Sequence, residues 1–229
     1  TPNPGPGDAH TFQTAGVAGG QHFASAAIVN GPGETTTHFS VVDKHGNMVS
    51  YTNTIESSHG IGVFAGYKNA DGSFKSHGFL LNNELTDFSF APRDAQGRPV
   101  ANRVEPGKRP RSSMSPTLVF DPGTGQLLMS GGSPGGALII HYTAKLLYGH
   151  LHWGLNAQQA IKLPNFGSLG GPLLLEAQSF DTATVDALKA RGHDVREVDM
   201  TSGLQAIERT ASGWFGGADP RREGIVQGD

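Results

Sequence analysis

The sequence predicts an α+β fold in which antiparallel sheet is covered by helices. Two observations carry this expectation. β-Prone runs come in pairs joined by short Gly/Asn/Pro turns, and helical patterns come in blocks instead of alternating with single strands. Parallel βαβ units would interleave the two element types along the chain. No internal repeat is visible.

Residues 1–34 are rich in Gly, Ala, Pro, Asn and Thr and sustain a period of neither two nor 3.6, so 1–35 is expected to be a flexible tail and 36–229 a single domain. The pattern changes at Thr35. THFSVVD, the turn KHGN and MVSYTNT read as a hairpin. Thr117 to Phe120, the turn DPGTG and Gln126 to Ser130 read as a second. After GGSPGG, the run ALIIHYTAKLLYGHLHWG is apolar on more than one side and predicts a buried helix, with another beginning near Asn156. DTATVDALKARG predicts a third helix, N-capped by Asp181 or Thr182 and stopped at Gly192. A last hairpin is expected near Leu204 to Phe215, before the polar turn GGADPRREG.

Composition removes several function classes. Seventeen basic residues against 20 acidic ones give a net charge of -3 with no basic block, so nucleic acid is not an expected partner. The absence of cysteine removes thiol nucleophiles, disulfides and thiolate metal sites. No apolar run approaches the ~20 residues of a membrane helix. His150 and His152, one residue apart, do not make a metal site without further ligands, and read as core or surface histidines beside Trp153. No cofactor or metal is expected.

The turn Gly131 to Gly136 admits two chemical readings. Gly131-Gly132-Ser133-Pro134-Gly135 matches the G-x-S-x-G nucleophile elbow, which would make Ser133 a nucleophile. That elbow needs a backbone N–H on the residue after the serine, and Pro134 has none. The N–H groups of Gly135 and Gly136, near a helix N-terminus, suit a developing oxyanion better. No Lys-Ser/Thr pair follows to make a phosphate loop. The bland alternative is a tight turn shaped by glycine. In Thr35-Thr36-Thr37, a hydroxyl needs a base beside it, and an N-terminal threonine can use its own α-amine, whose pKa near ~7.7–8.0 suits neutral pH.

TTHFSVVDKHGN, TNTIE, GFLLNNELTDF, KRPRSSMSPT and GGSPGG, in that order, resemble the small subunit of γ-glutamyltranspeptidases. Five ordered motifs, spread from Thr36 to the C-terminal region, are far more specific than any one alone. The resemblance implies an N-terminal nucleophile hydrolase with a four-layer αββα fold, completed by a large subunit from the same precursor. The tail then becomes the end of that large subunit or a processing linker, and 36–229 the catalytic small-subunit domain. It implies autocatalytic cleavage between Thr35 and Thr36, then γ-glutamyl transfer and hydrolysis through an ester on Thr36. Glutathione or another γ-glutamyl amide would be the donor, and water, an amino acid or a peptide the acceptor.

By the same resemblance Thr54 orients the nucleophile, and Gly135 and Gly136 are the oxyanion donors. Glu84 and Asp87, with Glu56 as a third contact, bind the substrate α-amino group, while Ser112 and Ser113 donate to its α-carboxylate. On residue type alone, Thr54 reads as a strand threonine, the acids as solvated turn charges and the serines as a capped turn. TIE and NNELTDF resemble a bacterial branch, and the family implies a periplasmic or secreted location. Residues between Asp87 and Ser112 occupy the place of a lid in some members and read here as a short lid or a loop. LPNFG departs from the Pro-Arg-containing sequence often found there. Lys189 and Arg191 read as solvated helix-end charges, and Asp219-Pro220-Arg221-Arg222 resembles the family's C-terminal turn, with a structural role. Three alternatives stand beside this reading: a related acylase acting on another amide, such as a cephalosporin acylase or a poly-γ-glutamate enzyme; a serine hydrolase using Ser133; and a non-cleaving homologue that binds amino acids.

Overall fold

A computed structural model describes residues 36–228. The tail over 1–35, including the Thr35 carbonyl, lies outside the described residues. The first expected hairpin is present: β1 (Thr37–Val42) pairs antiparallel with β2 (Met48–Asn53), placing His38 opposite Thr52 and Ser40 opposite Ser50. Its turn is closed by Asp43, whose carboxylate accepts the N–H groups of His45 and Asn47, both at 2.8 Å. β3 (Phe64–Lys68) and β4 (Phe74–Leu80) form a separate antiparallel ribbon with a bulge near Phe64, which the sequence pattern had not marked.

The central sheet has four strands. β5 (Thr117–Phe120), β6 (Leu127–Gly132), β10 (Gln205–Thr210) and β11 (Gly213–Ala218) lie in the order β11-β10-β6-β5, all antiparallel. Both later expected hairpins belong to it. α1 (Ile139–Leu151) and α2 (Ala157–Lys162) pack on one face of this sheet. Met129, Leu138, Tyr142, Leu146, Ile161 and Leu204 are fully enclosed between them. α2 starts at the expected place because Asn156 and Gln159 form a reciprocal capping box. α1 buries one face only, leaving Ile140, Tyr148 and Leu151 exposed, so it is less enclosed than its composition suggests. The β1–β2 hairpin packs on the other face of the sheet, against β6 and β10. Two β layers are thus covered by helices on one side.

The expectation of antiparallel pairing fails in one place. β7 (Phe166–Gly167), β8 (Leu173–Glu176) and β9 (Val195–Val198) form a three-stranded sheet in which β8 and β9 are parallel, linked through α3 (Thr182–Ala190). The predicted third helix is therefore the crossover of a βαβ unit. Asp181 is its N-cap, accepting the Thr184 N–H at 2.6 Å, and Gly192 turns the chain away at φ 91°.

The C-terminal turn has the structural role expected of it. Arg221, with a 16%-exposed side chain, bridges Glu176 at 2.5 Å and the fully buried Asp219 at 3.1 Å, and donates to the Leu163 carbonyl at 3.0 Å. Asp219 also accepts from the Ser202 hydroxyl and the Leu204 N–H. Lys145 donates to the carbonyls of Ile161 and Leu163, and burial lowers its pKa to about 7. Asn165, in the divergent LPNFG, joins this region by donating to Ser202 Oγ at 2.9 Å.

Candidate active site

β1 and β2 place a polar stripe on the hairpin's inner face. Strand alternation puts His38 and Ser40 on the same side as Ser50 and Thr52, while Phe39, Val41, Val49 and Tyr51 face outward and are exposed. His38 is 4% exposed and hydrogen-bonds Thr52 Oγ1 at 2.8 Å; burial pushes its pKa down to about 4, so the ring is neutral at pH 7. Ser40 hydrogen-bonds Ser130 of β6 at 2.7 Å, and the His38 ring lies against Gly132, where an added Cβ would meet it at 2.5 Å. The hairpin is thereby fixed against the strand that leads into the glycine turn.

The stripe ends in two threonines. Thr36 precedes β1 and Thr54 follows β2, so the register that pairs Thr37 with Asn53 brings them together. Thr36 Oγ1 donates to Thr54 Oγ1 at 3.0 Å. Thr54 Oγ1 also accepts the Glu56 N–H at 2.8 Å, which helps hold Glu56 at φ 74°, a left-handed conformation uncommon for a side chain of this size. The Glu56 carboxylate accepts from Asn83 Nδ2, and Asn83 Oδ1 accepts from both the N–H and the hydroxyl of Ser57 at 3.0 Å.

Glu84–Asp87 is a short 3-10 turn beside this pair, anchored by the buried Phe88. The Glu84 pKa is raised, first by burial and then by the charges of Asp87 and Glu56. That of Asp87 is raised by burial and by Glu56, with Arg111 opposing. Glu84 Oε1 is buried with no hydrogen-bond partner among the described residues.

One cleft is lined by Thr36, Thr54, Glu56, Glu84, Asp87, Ser112, Ser113 and Gly136, together with Arg111, Met114, Ala137 and Ile139. Eight of the nine expected site residues in the described part of the chain therefore share a cavity wall. Gly135 is the ninth and lies behind it, buried, at φ 135°, where a Cβ would stand 2.4 Å from the Tyr142 ring. Only glycine fits there. Arg111 was not among the expected residues; a charged residue in a Pro/Arg-rich stretch carries no signal separating it from a solvated one.

Ser133 does not reach the cleft. It is fully buried, donating to the Pro134 carbonyl at 2.6 Å and accepting the Gly203 N–H at 3.1 Å. The serine-hydrolase alternative lacks an accessible nucleophile. His150 lies 2.9 Å from both Glu208 and the Leu155 carbonyl, while His152 packs on Tyr148, which meets Trp153 edge-on. No group of three metal-ligating side chains occurs among the described residues, and no helix among them is long and apolar enough to cross a membrane.

A family profile described as Gamma-glutamyltranspeptidase matches residues 8–228. The "Glutathione hydrolase proenzyme" of Escherichia coli K12 is 36% identical over 192 residues, covering 81% of this chain and 31% of its own length. The "Acylase ACY 1 proenzyme" of Pseudomonas sp. strain SE83 is 30% identical over 195 residues, covering 85% of this chain and 32% of its own. Among solved structures, γ-glutamyltranspeptidase from Pseudomonas nitroreducens complexed with L-DON superposes with a TM-score of 0.70 at 32% identity, covering 85% of this chain and all of the matched one. The chain thus spans about a third of the length of the curated relatives it matches. With the motifs, the shared cleft and a profile match over nearly the whole length, the chain belongs to the γ-glutamyltranspeptidase family.

Proposed function

We propose that this chain carries the catalytic machinery of a γ-glutamyl hydrolase and transferase. The observation that supports the reading best is the Thr36–Thr54 hydroxyl pair, 3.0 Å apart, in one cleft with three carboxylates, two serines and Gly136. The first step is processing. Thr36 Oγ1 attacks the Thr35 carbonyl carbon, the amide C–N bond breaks, and the acyl group passes from nitrogen to oxygen. Water hydrolyses the resulting ester and leaves Thr36 with a free α-amine.

That amine then serves as base. It takes the hydroxyl proton as Thr36 Oγ1 attacks the γ-amide carbon of the donor, and returns it to the leaving amine. The bond to Thr54 orients Oγ1 for attack. The Gly135–Gly136 backbone is the proposed donor to the tetrahedral oxyanion. Water or an acceptor amine then releases the γ-glutamyl group. The acids Glu56, Glu84 and Asp87 bind the donor ammonium, and Ser112 and Ser113 its carboxylate.

Among the described residues, the two β layers with helices on one side leave the apolar outer face of β1–β2 uncovered. A large subunit from the same precursor, covering that face, would complete an αββα fold over the 36–229 domain. A periplasmic or secreted location is proposed from the family, to be checked by cell fractionation. A second reading keeps the nucleophile and changes the donor: the 30% identity to the acylase proenzyme favours testing non-glutamyl amides as well. Expression of the full-length precursor, N-terminal analysis of its fragments and release of a γ-glutamyl anilide test the proposal together. Cleavage before Thr36 and loss of both events in Thr36→Ala are expected; an uncut junction, or full turnover by Thr36→Ala, would sink it.

A further inference from the structure

The three acids of the cleft come from two parts of the chain that the β3–β4 ribbon separates: Glu56 precedes it, and Glu84 and Asp87 follow it. At the ribbon's root the Ile61 N–H donates to the Leu81 carbonyl at 3.1 Å, and the Leu81 N–H to the Val63 carbonyl at 2.9 Å. Asn83 then closes the root onto the cleft. Its N–H donates to the Ile55 carbonyl at 3.2 Å, and its carbonyl accepts the Thr86 N–H at 2.9 Å and the Thr86 hydroxyl at 2.7 Å. Asn83 therefore caps the acidic turn while lying beside the strand end that carries Glu56. The far end of that turn is tied separately, by Asn102, whose Nδ2 donates to the Asp87 carbonyl at 2.7 Å and whose Oδ1 accepts the Arg111 N–H at 3.1 Å.

The side-chain amide of Asn83 is used at both ends. Its Oδ1 accepts the Ser57 N–H and the Ser57 hydroxyl, each at 3.0 Å, the hydroxyl being shared with the Gly60 carbonyl at 3.1 Å. Its Nδ2 donates to the Glu56 carboxylate and, at 3.0 Å, to Thr86 Oγ1. Turning the amide over would set its NH2 against two donors and its oxygen against a carboxylate, so Ser57 fixes the donor that faces Glu56. That donor acts against a repulsion. Burial, followed by negative charge that includes Glu56, raises the pKa of both Glu84 and Asp87, so the three carboxylates are close enough to push one another apart. A flexible glutamate in such company swings towards water unless a hydrogen bond holds it, and Asn83 supplies that hold.

We propose that Asn83 is a positioning residue: it holds the Glu56 carboxylate against the acidic turn, and so sets the preference for acyl donors that carry an α-amino group over their des-amino analogues. This rests on the γ-glutamyl reading of the cleft. Asn83 acts on the Glu56 side chain alone. The orienting hydroxyl Thr54 Oγ1 is held by the Glu56 backbone N–H at 2.8 Å, not by its carboxylate, so loss of the Asn83 amide loosens the ammonium site and leaves the nucleophile pair in place.

The test uses processed enzyme from the full-length precursor and compares a γ-glutamyl anilide with glutaryl anilide, which lacks only the α-amino group and is read as substrate or as competitive inhibitor. Asn83→Ala keeps the backbone bonds to Ile55 and Thr86. It is expected to raise KM for the γ-glutamyl anilide about tenfold, the scale of one hydrogen bond to a charged group, with kcat retained and glutaryl anilide binding nearly unchanged. In a Glu56→Ala background the same substitution should add little, because the two residues act as one. Asn83→Asp keeps an acceptor for both Ser57 donors but sets a carboxylate against Glu56, beside Glu84, Asp87 and the exposed Arg111 of the same cleft. The acidic limb of kcat/KM should then move up by about one pH unit. Equal losses on the two anilides, full additivity with Glu56→Ala, or an unmoved limb in Asn83→Asp overturns the proposal, and that last variant decides alone if Asn83→Ala does not fold. If the unsubstituted enzyme turns over no γ-glutamyl donor, the functional reading fails instead. Denaturant midpoints of the single and double variants then decide the Asn83–Glu56 link, since additive shifts count against it.

Discussion

Two groups of charged residues are built to opposite rules. Beside the helices, Arg221 is held between Glu176 and Asp219, and the remaining acceptor positions of Asp219 are filled by Ser202 and Leu204. In the cleft, Glu56, Glu84 and Asp87 crowd together, Glu84 keeps an unpartnered buried oxygen, and Arg111 stands nearby without closing onto any of them. A buried charge whose partners are all protein groups fixes structure. A charge left short of partners stores an attraction for a ligand, at some cost to the folded chain.

This contrast can be broken from either end. The largest effect is expected at the satisfied site. Arg221→Ala leaves Asp219 and Glu176 without their cation and should cost about 3–5 kcal/mol. The unfolding free energy from a denaturant titration checks this, and KM measured on the folded fraction should not move. A large change in KM with unaltered stability would reverse the roles given to the two groups.

Next comes the unsatisfied site. Asp87→Asn removes the proposed charge-assisted contact to the donor ammonium, an expected loss of about 1.5–3 kcal/mol in binding, seen as a KM raised by about tenfold or more. Stability should hold or rise, because a crowded carboxylate is relieved. The same crowding has a pH signature. Glu84 and Asp87 have raised pKa values from burial and from neighbouring negative charge, so on acidification they take up protons above the ordinary carboxylate range. kcat/KM should therefore fall with decreasing pH in that range. A bound ammonium favours the ionised acids, so the matching fall in kcat should lie at lower pH. Coincident profiles would show that these acids do not meet the ammonium.

The smallest effect is expected at Ser133. Ser133→Ala leaves the buried Gly203 N–H and the Pro134 carbonyl without a partner, costing about 1–3 kcal/mol of stability. Activity of the folded enzyme should survive, and its loss would return the serine to candidacy as nucleophile.

How far the sequence revealed these features depends on the range of the signal. The Thr36–Thr54 pair was legible only through the resemblance that the five motifs carry, since on residue type Thr54 reads as a strand threonine; the register of β1 and β2 is what brings the two hydroxyls together. Pro134 was enough to weaken Ser133 before its burial was known. Three features escaped for physical reasons. The β3–β4 ribbon is largely exposed and bulged, so it has no apolar alternation to read. Strands β8 and β9 have four residues each, and their parallel pairing depends on where α3 folds back. The link from Asp87 through Asn102 to Arg111 runs from one side-chain amide to two backbone groups, 15 and 9 residues away, so the residue types at its ends leave no mark on it.

The central claim is that Thr36 becomes acylated in a cleft that holds a zwitterion. Rapid acid quenching of processed enzyme during turnover of a γ-glutamyl anilide, followed by peptide mass analysis, tests this most directly. The expected result is a γ-glutamyl mass increment on the peptide that begins with Thr36, absent in Thr36→Ala. An increment on the peptide containing Ser133, or a Thr36 still joined to Thr35 in active enzyme, would contradict it.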